Sequence, residues 1–392
     1  MSISKIKSIK AKEILDSRGK PTIEVELKTD SGIFLSSVPS GTSKGKYEAV
    51  EKKAKIAKKN VNEVIASRLI GKDATKQKQI DEFLIKLDGT KRKSRLGANA
   101  ILGVSMAVCR AGAKANNLAL WEYISKIARI KPCFSVPCLL FFESGLHGKR
   151  ILDVQEFMGF VKVKSFQGGF KTGKKIYSDL GKALKRKFGK SANVLGMEGG
   201  FLPPVSNIEE VLDLLVSVSK EMKIVLDVAA SSFYKKNKYH FQGKKLKTEE
   251  LLAFYLKLIK KYPISFIEDP FAEDDWQGWK MLKSKVLRIG DDLTVTNLNR
   301  IKLALNKEAC DGIVIKPNQI GTVSETIAAA KYAKEKKSKV FIKHRSGETK
   351  DDFIADLAIG LGADFIMTGG PSKPERMAKY DRLLEIAKNF KK

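Results

Sequence analysis

The first third of the chain places apolar and polar residues in two different rhythms. Residues 5–13, 22–29 and 33–39 alternate apolar with polar positions, and the turn-forming segments SRGKP and TDSG separate them. This period of two predicts a three-stranded antiparallel meander. From about residue 59 to 127 apolar residues instead recur every three or four positions, which predicts a group of amphipathic helices.

A third rhythm follows the segment KPCFSVPC, where we place the boundary between an N-terminal domain, residues 1–130, and a C-terminal domain, residues 131–392. Beyond it, short apolar runs finish on a charged residue and lead into amphipathic stretches. These runs end at Asp227, Glu268, Asp291, Lys316 and His344. Strands that alternate with helices indicate a parallel sheet, and this many units predict a closed α/β barrel.

Composition narrows the class of protein. With 392 residues, 43% of them hydrophobic, the chain can bury a large core. It has no apolar run of about 18–20 residues and no apolar signal region at its N-terminus, so we expect a cytoplasmic protein without a membrane partner. The four cysteines lack CxxC spacing, which favours reduced packing thiols.

The net charge of +30 is the unusual feature of the composition. Such a charge favours weak, non-specific binding of polyanions at long range. The lysines are spread along the whole chain and are not interleaved with aromatic residues. An ordinary lysine-rich surface is therefore the competing interpretation.

Candidate chemistry gathers at the predicted strand ends, where α/β barrels carry their functional residues. Asp227, Glu268 and Asp291 end three successive strands. A lone carboxylate there would more often cap a helix, but three at one rim would repel one another. Oxygen-only ligation of that kind suits Mg²⁺.

Three further groups extend this rim. Lys316 ends the next strand, where burial and a neighbouring metal would lower its pKa and let it abstract a proton; the alternative is a lysine that simply pairs with the carboxylates. Glu156 and Glu198 are interpreted as additional strand-end acids, although either alone would be an ordinary loop residue. Two glycines follow Glu198 and permit a tight turn.

The three histidines differ in context. His147 lies in the glycine-bearing loop SGLHGK, and His240 looks like an ordinary hairpin residue. His344 ends a predicted strand and is followed by Arg345 and Ser346. Because arginine suits bidentate recognition of phosphate, this segment predicts a phosphate contact.

Together these segments resemble the enolase (phosphopyruvate hydratase) family. The resemblance runs from about residue 10 to 385 and rests on ILDSRGKPTIEVEL, SVPSGTSKGKYEA, LDGTKRKSRLGANAILGVSMAV, LDVQEFM, FIEDPFAEDDW, GDDLTVTN, IKPNQIGT and HRSGETKDD. It implies a small α+β cap domain followed by an eight-stranded, TIM-like α/β barrel. The implied substrate is a small phosphorylated carboxylic acid.

The resemblance also implies the metal chemistry. Asp227, Glu268 and Asp291 correspond to the ligands of a first Mg²⁺. Ser43 corresponds to the serine that joins a second Mg²⁺ when substrate is bound. Lys316 corresponds to the base that removes the C2 proton of 2-phosphoglycerate.

The remaining site residues are implied in the same way. Glu198 corresponds to the acid that helps hydroxide leave C3, with support from Glu156, and His344 to a histidine near the leaving group. The implied substrate contacts are His147, Gln155, Arg345 and Ser346, with the last two on the phosphate.

The sequence departs from the family pattern around this site. Met367 replaces the lysine that lies against the substrate carboxylate, and Met197 and Glu143 replace a family aspartate and asparagine. Lys343 stands where the family has serine, so we hypothesise that it relocates the missing charge. Strand alternation argues against this, because a residue beside His344 should point away from the site.

The family's dimer surface is altered too. Pairs that are oppositely charged in the family become like-charged here, Glu24 with Glu385 and Arg18 with Lys388. The loop after Glu51 is also shorter than in the family. Like charges across an interface disfavour association, so we expect a weak dimer or a monomer.

Three functions compete at this point. The first is dehydration of 2-phosphoglycerate to phosphoenolpyruvate, weakened by Met367. The second is a Mg²⁺-dependent lyase for another carboxylic acid, because Met367 and Met197 reshape the carboxylate end of the pocket. The third is a paralogue with little catalysis that binds RNA or protein. Retention of Lys316 and Glu198 speaks against the third, and loss of the lysine at 367 speaks against the first.

Overall fold

A computed structural model describes residues 4–42, 45–147, 152–283 and 285–390, with only the backbone described at 147. It contains a small antiparallel sheet with helices, then a closed barrel. This confirms the predicted fold class. Across the described residues, none of the helices combines the length and apolar character needed to cross a bilayer.

The N-terminal part is the predicted meander followed by helices. Its strands are β1 (Ser8–Leu15), β2 (Pro21–Thr29) and β3 (Gly32–Ser37), in antiparallel order β1-β2-β3. Its helices are α1 (Ala54–Lys59), α2 (Ala66–Leu69), α3 (Gln77–Asp88), α4 (Ala98–Ala115) and α5 (Leu120–Ala128), with one π-helical segment, Asn60–Ile65, between α1 and α2. The almost wholly buried α4 packs on β2 and β3 and forms the centre of this part of the core.

Eight strands close the barrel. They are β4 (Val136–Glu143), β5 (Glu156–Phe160), β6 (Lys223–Asp227), β10 (Ile264–Glu268), β11 (Leu287–Gly290), β12 (Gly312–Ile315), β13 (Lys339–Lys343) and β14 (Phe365–Met367). The order around the barrel is β10-β11-β12-β13-β14-β4-β5-β6. The prediction of a purely parallel sheet is wrong at one place, because β5 runs antiparallel to both β4 and β6.

Helices cover the barrel from outside. They are α6 (Phe166–Phe188), α7 (Ile208–Val218), α8 (Thr248–Lys261), α9 (Trp276–Met281), α10 (Leu298–Asn306), α11 (Pro317–Ile320), α12 (Val323–Glu335), α13 (Phe353–Gly360) and α14 (Pro374–Asn389). A three-stranded hairpin sheet lies between β6 and β10 and comprises β7 (Tyr234–Lys235), β8 (Lys238–Phe241) and β9 (Lys244–Leu246). His240 lies exposed on β8, as predicted for a hairpin residue.

The barrel has two apolar layers, and period-two alternation along the strands produces them. Phe341 of β13 faces the inner layer, where it packs against Phe266 and Phe365. Its neighbours Val340 and Ile342 face the outer layer beneath the helices. The inner layer fills the barrel, so chemistry is left to the rim.

Arg110 of α4 joins the two parts of the chain. Its guanidinium donates to both carboxylate oxygens of Asp351 at 2.9 and 3.1 Å and to Asp352 at 3.0 Å. It also donates to Ser36 Oγ at 2.8 Å. Because Asp351 lies in the segment between β13 and α13, this contact holds the N-terminal part against the barrel rim.

The cysteines behave as predicted. All four are free thiols, and Cys109, Cys138 and Cys310 are buried while Cys133 is exposed. Burial raises the pKa of each of the three buried thiols, so they serve as packing residues.

Candidate active site at the barrel rim

Three of the predicted acids form a row on neighbouring strands. Glu156 pairs with Asp227 across β5 and β6, and Asp227 pairs with Glu268 across β6 and β10. The antiparallel β5 contributes its first residue, Glu156, to the rim where its neighbours contribute their last. Asp291 directly follows β11 and extends the same rim.

Lys343 reaches into the middle of this row. Its Nζ lies 2.7 Å from Asp227 Oδ2, 2.8 Å from Glu268 Oε1 and 3.0 Å from Glu156 Oε2. The prediction that it points away from the site is therefore wrong. The alternation was counted from His344, but β13 ends at Lys343, and within the strand Lys343 shares the inward face of Phe341.

Lys316 pairs with the fourth acid. It follows β12, and its Nζ donates to Asp291 Oδ2, while Gln319 donates to Asp291 Oδ1 at 2.7 Å. Burial lowers the pKa of Lys316, but the Asp291 carboxylate outweighs burial and raises it; the fall expected beside a bound metal stays a prediction. Burial likewise opposes ionisation of Asp291, yet Lys316 and Lys343 lower its pKa to about 2.

The buried carboxylates of the rim outnumber the lysines that pair with them. Burial and the neighbouring Asp227 raise the pKa of Glu268 well above its usual range. The four acids in contact with Lys316 and Lys343 leave a formal charge of −2 after the two ammonium groups are counted. A divalent cation would balance this charge, and the oxygen-only donors suit Mg²⁺.

Ligand atoms that already lie close together belong to other groups. Among the described residues, Glu156, Glu198 and His344 place ligand atoms within 4.8 Å of one another, as do Asp269, Asp291 and Asp292. The predicted trio of Asp227, Glu268 and Asp291 is not one of these groups, and each of its carboxylates contacts a lysine ammonium. Asp291 belongs to both sets.

His344 faces Glu198. Its Nε2 lies 3.0 Å from Glu198 Oε2, and its Nδ1 contacts Arg376 Nη1. Since arginine can only donate, Nδ1 carries the lone pair and Nε2 carries the proton. Burial lowers the pKa of His344 although Glu198 opposes this shift, which agrees with a neutral ring.

Glu198 lies in a turn and not at a strand end, so that part of the prediction is wrong. Gly199 has φ +83°, a conformation that favours glycine. The Glu143 carboxylate accepts from the backbone N–H of Glu198 at 3.0 Å and of Gly200 at 2.9 Å. Glu143 therefore fixes the turn that presents Glu198.

The predicted phosphate contacts lie beside the cap. The Arg345 guanidinium pairs with Glu48 at 3.1 Å. Ser346 Oγ accepts from Thr42 N at 2.7 Å. Gly41 approaches Arg345 so closely that a Cβ at position 41 would lie 1.7 Å from Nη2, so no side chain fits there in this arrangement.

One small cavity is lined both by the carboxylates and lysines of the rim and by the predicted phosphate contacts. Gln155 lies on its wall, and its buried Oε1 has no hydrogen-bond partner among the described residues. The predicted contact His147, as a side chain, and the predicted metal ligand Ser43 lie outside the described residues. The cavity is lined by Gly41, Gln155, Glu156, Glu198, Asp227, Lys316, Lys343, His344, Arg345 and Ser346.

Sequence reasoning missed the residues that support this cavity. Glu48, Gln319 and Arg376 each bond a predicted site residue from a distant part of the chain. Arg376 also donates to the backbone carbonyls of Arg345 and Ser346 at 2.6 Å each. Adjacency to a motif could have suggested Gln319, which lies three residues after Lys316, but no local pattern marks Glu48 or Arg376.

Comparison with known proteins finds relatives and family models that together cover nearly the whole chain. The family model "Enolase, C-terminal TIM barrel domain" matches residues 131–392, and "Enolase, N-terminal domain" matches residues 6–124. Enolase 1 of Entamoeba histolytica is 43% identical, covering 97% of this chain and 95% of its own.

Two further relatives agree. An enolase of Mastigamoeba balamuthi is 42% identical and one of Methanococcoides burtonii 41% identical, each covering 98% of this chain and 95% of its own. Similarity at this level, over both domains, places the chain in the enolase family.

Proposed function

We propose that this protein dehydrates 2-phosphoglycerate to phosphoenolpyruvate as a Mg²⁺-dependent hydro-lyase. The observation that carries the proposal is the pairing of groups around one cavity. Lys316, which pairs with Asp291, lines this cavity, and so do His344 and Glu198, which pair with each other. Removal of a proton and a hydroxyl from adjacent carbons requires a base and an acid at one cavity, and Lys316 and Glu198 supply these two groups.

Lys316 and Glu198 divide the proton transfers. Lys316 has to be neutral for this step, as expected beside a bound cation. Its Nζ then takes the proton from C2, and the electron pair of that C–H bond becomes the C2–C3 double bond as the C3–O bond breaks. Glu198 supplies a proton to the departing hydroxyl, so the balance is one water lost per substrate. Glu156 supports Glu198, and neutral His344 holds the Glu198 carboxyl in place.

Asp227, Glu268 and Asp291 would hold the first Mg²⁺, and Ser43 would join the second. When bound, the two ions stabilise negative charge that grows on the substrate carboxylate, which is commonly the largest contribution to catalysis. The excess of buried carboxyl groups over lysines at the rim supports this assignment.

Arg345 and Ser346 would receive the phosphate. In the structure Arg345 pairs with Glu48, so its guanidinium has a counter-ion when no substrate is present. A phosphate offers the same bidentate geometry and more negative charge. Gln155, with its buried unpartnered Oε1, would accept from a substrate hydroxyl, and His147 would complete the contacts.

We also propose a monomer or weak dimer with a cytoplasmic location. Glu24 pairs with Lys12 at 2.7 Å, and Glu385 pairs with Arg382 at 3.0 Å, both within the chain. These acids thus have internal partners that a family-type contact would have to displace.

The test is formation of phosphoenolpyruvate from 2-phosphoglycerate by the purified chain with Mg²⁺. Lys316→Ala is the inactive control, and Lys302→Ala, which changes a lysine on the outer helix α10, is the matched control. Turnover that only Lys316→Ala abolishes supports the proposal. Silence of the native chain, with turnover gained by Met367→Lys, overturns it and favours another carboxylic acid or a binding role.

A further inference from the structure

Lys343 is a buried lysine at the rim that the roles above leave unused. Its side chain is 2% exposed, and it lines the same cavity as Lys316, His344 and Arg345. A lysine ammonium is rarely buried without a function or a fixed set of partners. The question is which of these Lys343 has.

Strand register places Lys343 beside Met367. The two residues are directly paired across β13 and β14. Met367 is completely buried and belongs to the apolar layer inside the barrel, with Met158 and Phe365. Position 367 therefore brings no charge to the rim, and the neighbouring strand brings one at the same level.

Lys343 lies among three carboxylates and supplies only one positive charge. The ammonium donates to Asp227 and Glu268 and also forms an ion pair with Glu156, so one positive charge is shared among three carboxylates. Asp227 and Glu268 are two of the proposed Mg²⁺ ligands. When a metal takes their oxygens, the ammonium loses these partners, and its flexible stem allows the head to move into the cavity.

The cavity has cationic groups for two anionic groups of a ligand. Arg345, Lys316 and Lys343 all lie on its wall. Lys316 is assigned to the proton at C2. Lys343 is therefore the cation left to meet a carboxylate.

We propose that Lys343 binds the substrate carboxylate, in place of the lysine that the family carries at position 367. This inference rests on the proposed function and deepens it, because it names the group that recognises the acid end of the substrate. It also assigns Lys343 a second contact, since the ammonium lies on Asp227 and Glu268 until a metal binds.

The proposal predicts opposite effects on two ligands. Replacing Lys343 with a neutral residue removes the competitor for Asp227 and Glu268, so Mg²⁺ alone binds at least several-fold more tightly. The same change removes the carboxylate contact, so phosphoenolpyruvate binds at least about tenfold more weakly, equivalent to about 1.4 kcal/mol. A variant that merely damaged the fold would weaken both.

The experiment is calorimetric titration of the full chain with MgCl₂, and then of the Mg²⁺-loaded chain with phosphoenolpyruvate and with inorganic phosphate. Lys343→Gln keeps hydrogen-bond donors without the charge. Lys93→Gln is the matched control, because Lys93 is equally buried, 3% exposed, and pairs with Glu325 without lining the cavity. The double variant Lys343→Ser with Met367→Lys returns the charge to the neighbouring strand and keeps the charge balance if Lys343→Gln does not fold.

In Lys343→Gln we expect the Kd for Mg²⁺ to fall and the Kd for phosphoenolpyruvate to rise. The Kd for inorganic phosphate should stay within about twofold of the native value. The double variant should bind phosphoenolpyruvate again. Unchanged phosphoenolpyruvate binding in Lys343→Gln, or none in a folded double variant, overturns the role of Lys343. If the native chain still turns over, the proposed function stands. A native chain that neither binds phosphoenolpyruvate nor turns over overturns both.

Discussion

Replacing Arg110 with alanine tests how strongly the cap is held on the barrel. Arg110 is 17% exposed and its main partner, Asp351, 9% exposed, whereas Asp352 is 40% exposed. The contact with Asp352 therefore contributes little. Removing Arg110 leaves the Asp351 carboxylate buried without its cation, a loss worth about 3–5 kcal/mol for fully buried pairs and about 3 kcal/mol for this slightly exposed one.

This loss of stability corresponds to a fall in the melting temperature. Unfolding entropy of about 2.1 cal/mol/K per residue gives about 0.8 kcal/mol/K for this chain, so Arg110→Ala should melt about 4 °C lower. Arg110→Lys is the control, because it keeps the charge but loses the two-pronged contact. A double-mutant cycle with Asp351→Asn isolates the pair.

The same contact gives a pH dependence. Burial would raise the pKa of Asp351, but Arg110 and backbone N–H donors lower it below its usual value. A lowered folded-state pKa means that the contribution is fully present above the unfolded pKa of about 3.9 and is lost as pH falls through the folded value. The gap in melting temperature between native and Arg110→Ala should therefore narrow from pH 7 towards pH 3. A gap below about 1 °C at pH 7, or one that stays constant on acidification, would refute this reasoning.

Three other predictions follow from the site and the surface. Glu143→Ala leaves the N–H groups of Glu198 and Gly200 without their buried acceptor, and misplacement of Glu198 should lower kcat about 10²-fold; an unchanged kcat for phosphoenolpyruvate formation would contradict this. Mg²⁺ at 100 times its Kd should stabilise the fold by about 2.7 kcal/mol, seen as a melting temperature that rises with Mg²⁺ and falls back with a chelator; no rise would count against the metal site. Light scattering at micromolar concentration should give the mass of one chain, and a stable dimer would refute the altered interface.

Much of the rim could be predicted because each strand end carries its own signal. An apolar run followed by Asp227, Glu268 or Lys316 marks both the strand and the side that faces the site. The direction of β5 carries no such signal, since the short run EFMGF looks the same in either direction, so the barrel was expected to be purely parallel. That error did not misplace Glu156, because the reversed strand begins at the rim.

The errors in predicting the site arose from the assumed end of a strand and from contacts between residues that lie far apart in the sequence. Alternation predicted the wrong face for Lys343 because the strand ends one residue earlier than assumed. The pKa of Lys316 depends on two opposing effects, burial and the Asp291 carboxylate. Their balance cannot be judged from the sequence, because it depends on the distance between the two side chains. Glu48 and Arg376 were missed because tertiary contacts bring them to the site, and nothing near them in sequence announces a partner.

Arg376 lies so late in the chain that the candidate active site can be completed only near the end of synthesis. The barrel closes only when β14 pairs with β4, roughly 230 residues after β4 has emerged, or about 10–50 s at ordinary translation rates. Until then β4 presents an unpaired edge, the kind of surface that recruits other strands. Because Arg376, in the last helix, donates to the carbonyls of Arg345 and Ser346, the proposed phosphate site is complete only after α14 has been made, and a truncation before α14 removes these contacts.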